Sequence, residues 1–231
     1  TFPPEVRRIA DFVNYRELDQ YPYQFRRGEC FFGVKETGRF SNEKCLPISP
    51  SKPNMVVLGD SHAAQYWRAI ELRYPNYNVL QATASGCRPT LKLDGAKRCT
   101  DIVNYVLDTL VATKTVDKIV LAGRWRESDI ESLEATIRML RSRGVNVIVI
   151  GPTVEYQGDF PSLLARAVQS HLSLMTSLRV KERKTIDDRL QPVVVDAGGM
   201  YVSVYDLECP GGMNARTLPR TAFLSISIMV I

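Results

Sequence analysis

From Met55 onward the chain alternates short apolar runs with segments whose apolar residues recur every three to four positions. Met55 to Leu58 is a buried-strand pattern that stops at Gly59, and Ser61 to Tyr74 follows with helical spacing. The same alternation recurs. Asn78 to Ala82, Lys118 to Ala122, Val145 to Ile150 and Pro192 to Val195 read as strands. Between them, Asp101 to Ala112, Asp129 to Arg143 and Ser162 to Leu178 read as helices, with Gly144 a natural stop for the second. β-branched runs alternating with amphipathic helices predict an α/β fold with a doubly wound parallel sheet. In such a sheet the chemistry collects at the carboxyl ends of the strands. The positions of interest are therefore Gly59 to His62, Thr83 to Gly86, Gly123 to Trp125 and Pro152 to Glu155.

The first 54 residues lack this alternation. Val6, Ile9, Ala10 and Val13 sit at helical spacing within 4 to 20, and a loop-rich stretch then ends in the Ser- and Pro-containing segment Ile48 to Asn54. We read 1–54 as a loop-rich N-terminal extension, 55–212 as the α/β domain and 213–231 as an atypical tail. The chain opens at Thr1 with neither a Met nor a signal-peptide pattern, as expected of a piece cut from a longer polypeptide.

Composition changes this picture little. With 231 residues, 45% hydrophobic and 24% charged, the chain is ordinary for a globular domain, and no run approaches the ~20 apolar residues of a membrane span. The net charge of +5 fits either a solvated basic surface or a weak preference for anionic surfaces. The basic residues are scattered and carry no nucleic-acid motif. Five cysteines are more telling: Cys30 with Cys45 and Cys87 with Cys99 each bracket a short loop, leaving Cys209 over. In an oxidising compartment each pair would form a disulfide contributing roughly 3 kcal/mol; in a reducing one, five core thiols remain. No cysteine or histidine spacing suggests a metal, and no cofactor is expected.

The candidate chemistry lies at the end of the first strand, in Gly59-Asp60-Ser61-His62-Ala63-Ala64. A serine at a strand-to-helix junction offers its hydroxyl beside the free N–H groups of the helix, where an oxyanion would be stabilised. A serine there is also a common N-cap. The Gly-x-Gly-x-x-Gly of a dinucleotide site and the Gly-Lys-Ser/Thr of a P-loop are both missing. The third strand ends in Gly123-Arg124-Trp125, where a receiver domain would place an Asp.

Together with Ala84-Ser85-Gly86-Cys87-Arg88-Pro89, Leu121-Ala122-Gly123-Arg124-Trp125 and Gly151-Pro152-Thr153-Val154-Glu155-Tyr156, this block resembles the SGNH (GDSL-like) hydrolases. More narrowly, it is similar to the periplasmic SGNH domains fused behind membrane acyltransferase-3 proteins that O-acylate surface polysaccharides. The phrase Phe25-Arg26-Arg27-Gly28-Glu29-Cys30 is similar to the lead-in of that branch, and the likeness spans about 20 to 212. The resemblance implies Ser61 as nucleophile, Asp60 as the acidic residue supporting its loop, and the N–H groups of Ser61 and Gly86 as oxyanion donors. Arg124 and Trp125 stand where the wider family has an Asn donor, and are expected to meet substrate; a surface Arg beside a packing Trp is the other reading. The implied partners are an upstream membrane acyltransferase domain of the same polypeptide, an acyl donor and a polysaccharide acceptor. The implied location is the periplasm, tethered to the inner membrane. The implied activity is O-acyl (commonly acetyl) transfer. A carbohydrate esterase and a non-catalytic glycan-binding domain are the alternatives.

One family element is missing. The resemblance calls for an Asp-x-x-His segment after the fifth strand, whose His is the base for the serine, and this sequence has none: after Cys209-Pro210 it runs Gly211 to Arg216 and ends in Phe223 to Ile231. His62 follows the nucleophile along the new helix and is badly placed to serve, and His171 falls mid-helix as a surface or packing residue. Reading the codons of Phe223 to Ile231 two bases later can yield Phe-Ile-Asp-Phe-Asp-Tyr-Gly-His, and Asn214-Ala215 can yield a Cys to partner Cys209. A frameshifted C-terminus is one expectation, a natural divergent tail the other, and the coding DNA decides between them.

Overall fold

The computed structural model describes residues 3–17, 20–36, 39–91, 95–170 and 173–210. In chain order these carry α1 (Pro4–Asp11), α2 (Gln20–Phe25), β1 (Phe31–Phe32), α3 (Asn42–Cys45), β2 (Asn54–Gly59), α4 (Ser61–Arg73), β3 (Asn78–Ala84) and α5 (Lys97–Asn104). Then follow β4 (Lys118–Ala122), α6 (Ile130–Ser142), β5 (Asn146–Ile150), α7 (Phe160–Ser170), α8 (Ser173–Ser177), α9 (Glu182–Asp196), β6 (Met200–Val202) and α10 (Val204–Glu208). The six strands form one sheet in the order β1-β3-β2-β4-β5-β6, and every adjacent pair is parallel. This is the expected doubly wound α/β sheet.

β2 lies at the centre, and all six of its residues are buried, as a strand covered on both faces requires. Its side chains alternate between two cores. Val56 and Leu58 join Leu80, Ile119, Leu121, Val147 and Val149 beneath α5, α6 and α9. Met55 and Val57 join Val79, Val120 and Ile150 beneath α4, through Ala63, Tyr66 and Trp67. Helices on both faces leave the sheet's carboxyl edge open for loops, which is where the candidate residues emerge.

Three expectations change. Pro192 to Val195 is not a strand; it is the last turn of α9, and the sixth strand is Met200–Val202. Ile186, Leu190 and Val194 are four residues apart and fully buried, while Val195 is exposed, so a helical stripe overrides the β-propensity of three valines. The expected helix from Ser162 to Leu178 is observed as α7 and α8, with His171 outside the described residues. The helix expected over 101–112 starts earlier, as α5, and continues as a π turn over Tyr105–Leu110.

The segment before Asn54 takes part in the fold. Phe31 and Phe32 pair with Thr83 and Ala84. Val6 and Ile9 of α1 pack on Ala165 of α7. Disulfides Cys30–Cys45 and Cys87–Cys99 are formed, and Cys209 is a buried free thiol. No helix among the described residues is long and apolar enough to cross a membrane. The tail, 211–231, lies outside the described residues.

Candidate active site

β2 ends at Gly59, whose φ of +149° brings the backbone hard against β4. A Cβ there would fall 1.8 Å from the Ala122 carbonyl oxygen, so only glycine fits. The chain then turns into α4. The N-cap is Asp60, not Ser61: Asp60 Oδ1 accepts the His62 N–H at 2.8 Å. Ser61 is thereby freed from capping and becomes the first helical residue. Among the described residues nothing hydrogen-bonds its hydroxyl, and its backbone N–H has no acceptor.

Asp60 is 2% exposed and fully engaged. Its Oδ2 accepts from Arg88 Nη1 and from the Arg124 N–H, each at 2.9 Å. Arg88 in turn donates from Nε to Asp129 Oδ2 at 2.9 Å, and that oxygen also accepts the Arg126 N–H at 2.7 Å. The loops after β2, β3 and β4 are thus tied together by an Asp60–Arg88–Asp129 relay that is buried at Asp60 and half-buried at its other two members. A buried carboxylate needs such partners to remain charged. With three donors on its two oxygens, Asp60 supports the loop and is not free to shuttle a proton.

Gly86 follows β3, the neighbour of β2, with Gly59 opposite Thr83 in register. Its φ of +74° lies in the left-handed region, and its N–H has no acceptor among the described residues. Two clamps hold this loop: the Cys87–Cys99 disulfide on the next residue, and Arg98 Nη2 donating to the Ser85 carbonyl at 2.9 Å. Unclaimed N–H groups at the ends of adjacent strands can stabilise a negative oxygen.

Arg124 and Trp125 part company. The Arg124 guanidinium is 57% exposed and makes a two-point ion pair with Glu155, at 2.9 and 2.6 Å. Burial pushes the Glu155 carboxyl up, but the hydrogen bond and charge of Arg124, with Arg183 and His62, hold it below its ordinary value. Trp125 is 0% exposed and donates its indole N–H to the Ile150 carbonyl at 2.8 Å. Its ring has no surface to offer a ligand, so the expectation that it meets substrate is corrected: it packs beneath the loop. His62 is half-buried. Desolvation depresses its pKa, with Arg124 and Arg88 adding to this against the opposing pull of Asp60 and Glu155.

Arg88, Asp129 and Glu155 were given no role by sequence reasoning, although Arg88 and Glu155 lie inside the blocks singled out. A charged Asp at the end of an apolar central strand was the available signal, because it demands a cation from elsewhere in the chain. Glu208 was also missed. Its Oε2 accepts the Val154 N–H at 2.7 Å, and burial pushes its carboxyl up to about 7 against that hydrogen bond. Among the described residues no three His, Cys, Asp or Glu side chains are grouped to hold a metal ion.

A parallel six-stranded sheet with Gly-Asp-Ser at the junction of its central strand and helix defines the SGNH-type α/β class. Residues 24–221 match the model of the SGNH domain (fused to AT3 domains), and the chain belongs to that family. Among solved structures it is similar to the periplasmic domain of a lipopolysaccharide acetyltransferase from Salmonella ser. Paratyphi A. The two share 22% identity and a TM-score of 0.68, over 94% of this chain and 88% of that one. More distant likenesses are a carbohydrate acetylesterase family member from Sinorhizobium meliloti (12% identity, TM-score 0.41, 77% of this chain and 99% of that one) and a catalytic mutant of an acetylxylan esterase from Geobacillus stearothermophilus (13%, 0.39, 67% and 77%). Comparison with curated protein sequences returns no match.

Proposed function

We propose that this domain is built for serine-dependent O-acyl transfer, with Ser61 as the nucleophile. One observation carries the reading: among the described residues the hydroxyl on the first residue of α4 is unbonded, and the N–H groups of Ser61 and Gly86, at the ends of adjacent strands, have no acceptor. Ser61 Oγ attacks the acyl carbonyl and loses its proton to a base. The N–H groups of Ser61 and Gly86 hold the oxyanion, and the donor's oxygen leaves with a proton. An acceptor hydroxyl then attacks the acyl-serine by the same route in reverse. Asp60 and Arg88 hold the nucleophile's loop throughout.

Family membership supports an acyltransferase-3 membrane domain in the same polypeptide as the source of the acyl group. The likeness to a lipopolysaccharide acetyltransferase's periplasmic domain favours acetyl as the group, a surface polysaccharide as acceptor and the periplasm as location. The two disulfides agree with an oxidising compartment.

Proton transfer is the weak step. His62 lies on the same helix as Ser61 with no hydrogen bond to its hydroxyl, His171 lies outside the described residues, and 203–231 holds no histidine. We read the tail as the altered remnant of an Asp-x-x-His ending. The same gap favours a glycan-binding domain without catalysis as a second reading, and an esterase passing the acyl group to water as a third. A fluorophosphonate probe tests the nucleophile in a version of the chain that carries the shifted-frame ending: labelling confined to Ser61, and lost in Ser61→Ala, supports acyl chemistry, whereas a folded restored protein that stays unlabelled favours binding alone. Acetate release measured with and without a polysaccharide acceptor then separates esterase from transferase.

A further inference from the structure

A pocket of about 390 Å³ is lined by Arg124, Arg126, Glu127, Ser128, Glu182 and Arg183. It shares Arg124 with the nucleophile's loop, since the Arg124 N–H is bound to Asp60, the residue before Ser61. Its floor is fixed. Arg183 is 5% exposed and donates from Nη1 to the Trp125 carbonyl at 2.9 Å, which pins the Arg124–Arg126 turn from below. The Arg126 N–H is anchored to Asp129 Oδ2 in the same relay that holds Asp60.

The charges lining this pocket are mostly spent on one another. Arg124 pairs with Glu155, Arg183 with Glu182 at 3.2 Å, and Glu127 with Arg189. Arg126 is the exception: its exposed guanidinium has no carboxylate among the described residues, and the Ser128 hydroxyl beside it is also uncommitted. One unspent guanidinium, ringed by Glu and Ser groups that accept and donate to hydroxyls, fits a hydroxyl-rich ligand bearing one negative group. An acyl chain would want apolar walls instead.

We propose that this pocket is a subsite for an anionic substituent of the saccharide, a carboxylate or a phosphate, held by Arg126 and Ser128 while a neighbouring hydroxyl faces Ser61. The placement of that hydroxyl rests on the acyl-transfer reading; the anion subsite itself does not. Guanidinium recognises either group through paired N–H donors.

The test is an NMR titration of the full chain with methyl glucuronoside, glucose 6-phosphate and methyl glucoside. At least one acidic sugar should bind about tenfold or more tightly than the neutral one, with shifts at Arg126 and Ser128. Arg126→Ala, an exposed substitution that spares the fold, should erase that preference, and Arg126→Lys should restore part of it. The stronger of the two acidic ligands identifies the substituent. Equal binding of all three sugars, no binding of any, or a preference that survives Arg126→Ala would overturn the proposal. Ser61 labelling is read separately, in the chain carrying the shifted-frame ending: a serine unlabelled there, with an intact, Arg126-dependent preference, removes acyl transfer and leaves the subsite standing.

Discussion

Two arginines reach carboxylates along the same edge of the sheet, in opposite settings. Arg88 is 14% exposed and bridges Asp60 and Asp129, which are 3% and 14% exposed at their side chains. Arg124 is 57% exposed and grips Glu155. Distances and partner types are alike; the surroundings are not. Losing Arg88 strands a desolvated Asp60, whereas Arg124 stands in water and its loss leaves Glu155, 19% exposed, still 3.9 Å from Arg183. The first belongs to the framework that holds Ser61 still, and the second to a surface free to meet ligands.

Removing Arg88 should therefore produce the largest effect. Arg88→Ala leaves Asp60 buried without its cation and should cost about 3–5 kcal/mol in urea unfolding, with loss of Ser61 labelling when placed in the chain carrying the shifted-frame ending. A cost no greater than that of Arg124→Ala would break the comparison. Next comes the clamp beside Gly86. Reducing Cys87–Cys99, or replacing both cysteines with serine, should cost roughly 3 kcal/mol for so short a loop and, in the chain carrying the shifted-frame ending, slow the labelling of Ser61. Stability lost with labelling unchanged would show that the disulfide does not position the Gly86 N–H.

A pH effect follows from Glu208. Burial raises its folded pKa to about 7, above the ordinary 4.5. Its protonated form is thus favoured on folding, and that stabilisation is complete below the unfolded value and lost as pH rises towards 7. Glu208→Gln keeps an acceptor for the Val154 N–H. The variant should match the parent near pH 4 and exceed it at pH 8; a constant offset in denaturation across that range would refute the assignment. The smallest effect is expected at the exposed pair, where Arg124→Ala should change stability by about 1 kcal/mol or less.

The same contrast explains what the sequence disclosed. β2, β4 and the Ser61 junction are local patterns, written in consecutive residues, and they are found where expected. Both disulfides were legible because each closes a short loop. The Arg88 relay was not, because its partners stand 28 and 41 positions away and only the fold brings them together. Trp125 was misjudged for a related reason: its neighbour Arg124 is exposed, yet the turn after β4 sends the indole inward to Ile150. The valines of α9 were misread because burial on one helical stripe outweighed their strand preference.

The central claim is that Ser61 is a placed nucleophile awaiting a base. It is tested most directly by turnover of a simple acetyl ester, measured for this chain and for a version carrying the shifted-frame ending with its Asp-x-x-His-like histidine. General-base assistance typically contributes about 10²–10⁴-fold. The account predicts a gain of that order in the restored chain, abolished by Ser61→Ala, over a barely active parent. Brisk turnover by the parent, or an inert restored chain that is fully folded, would contradict it.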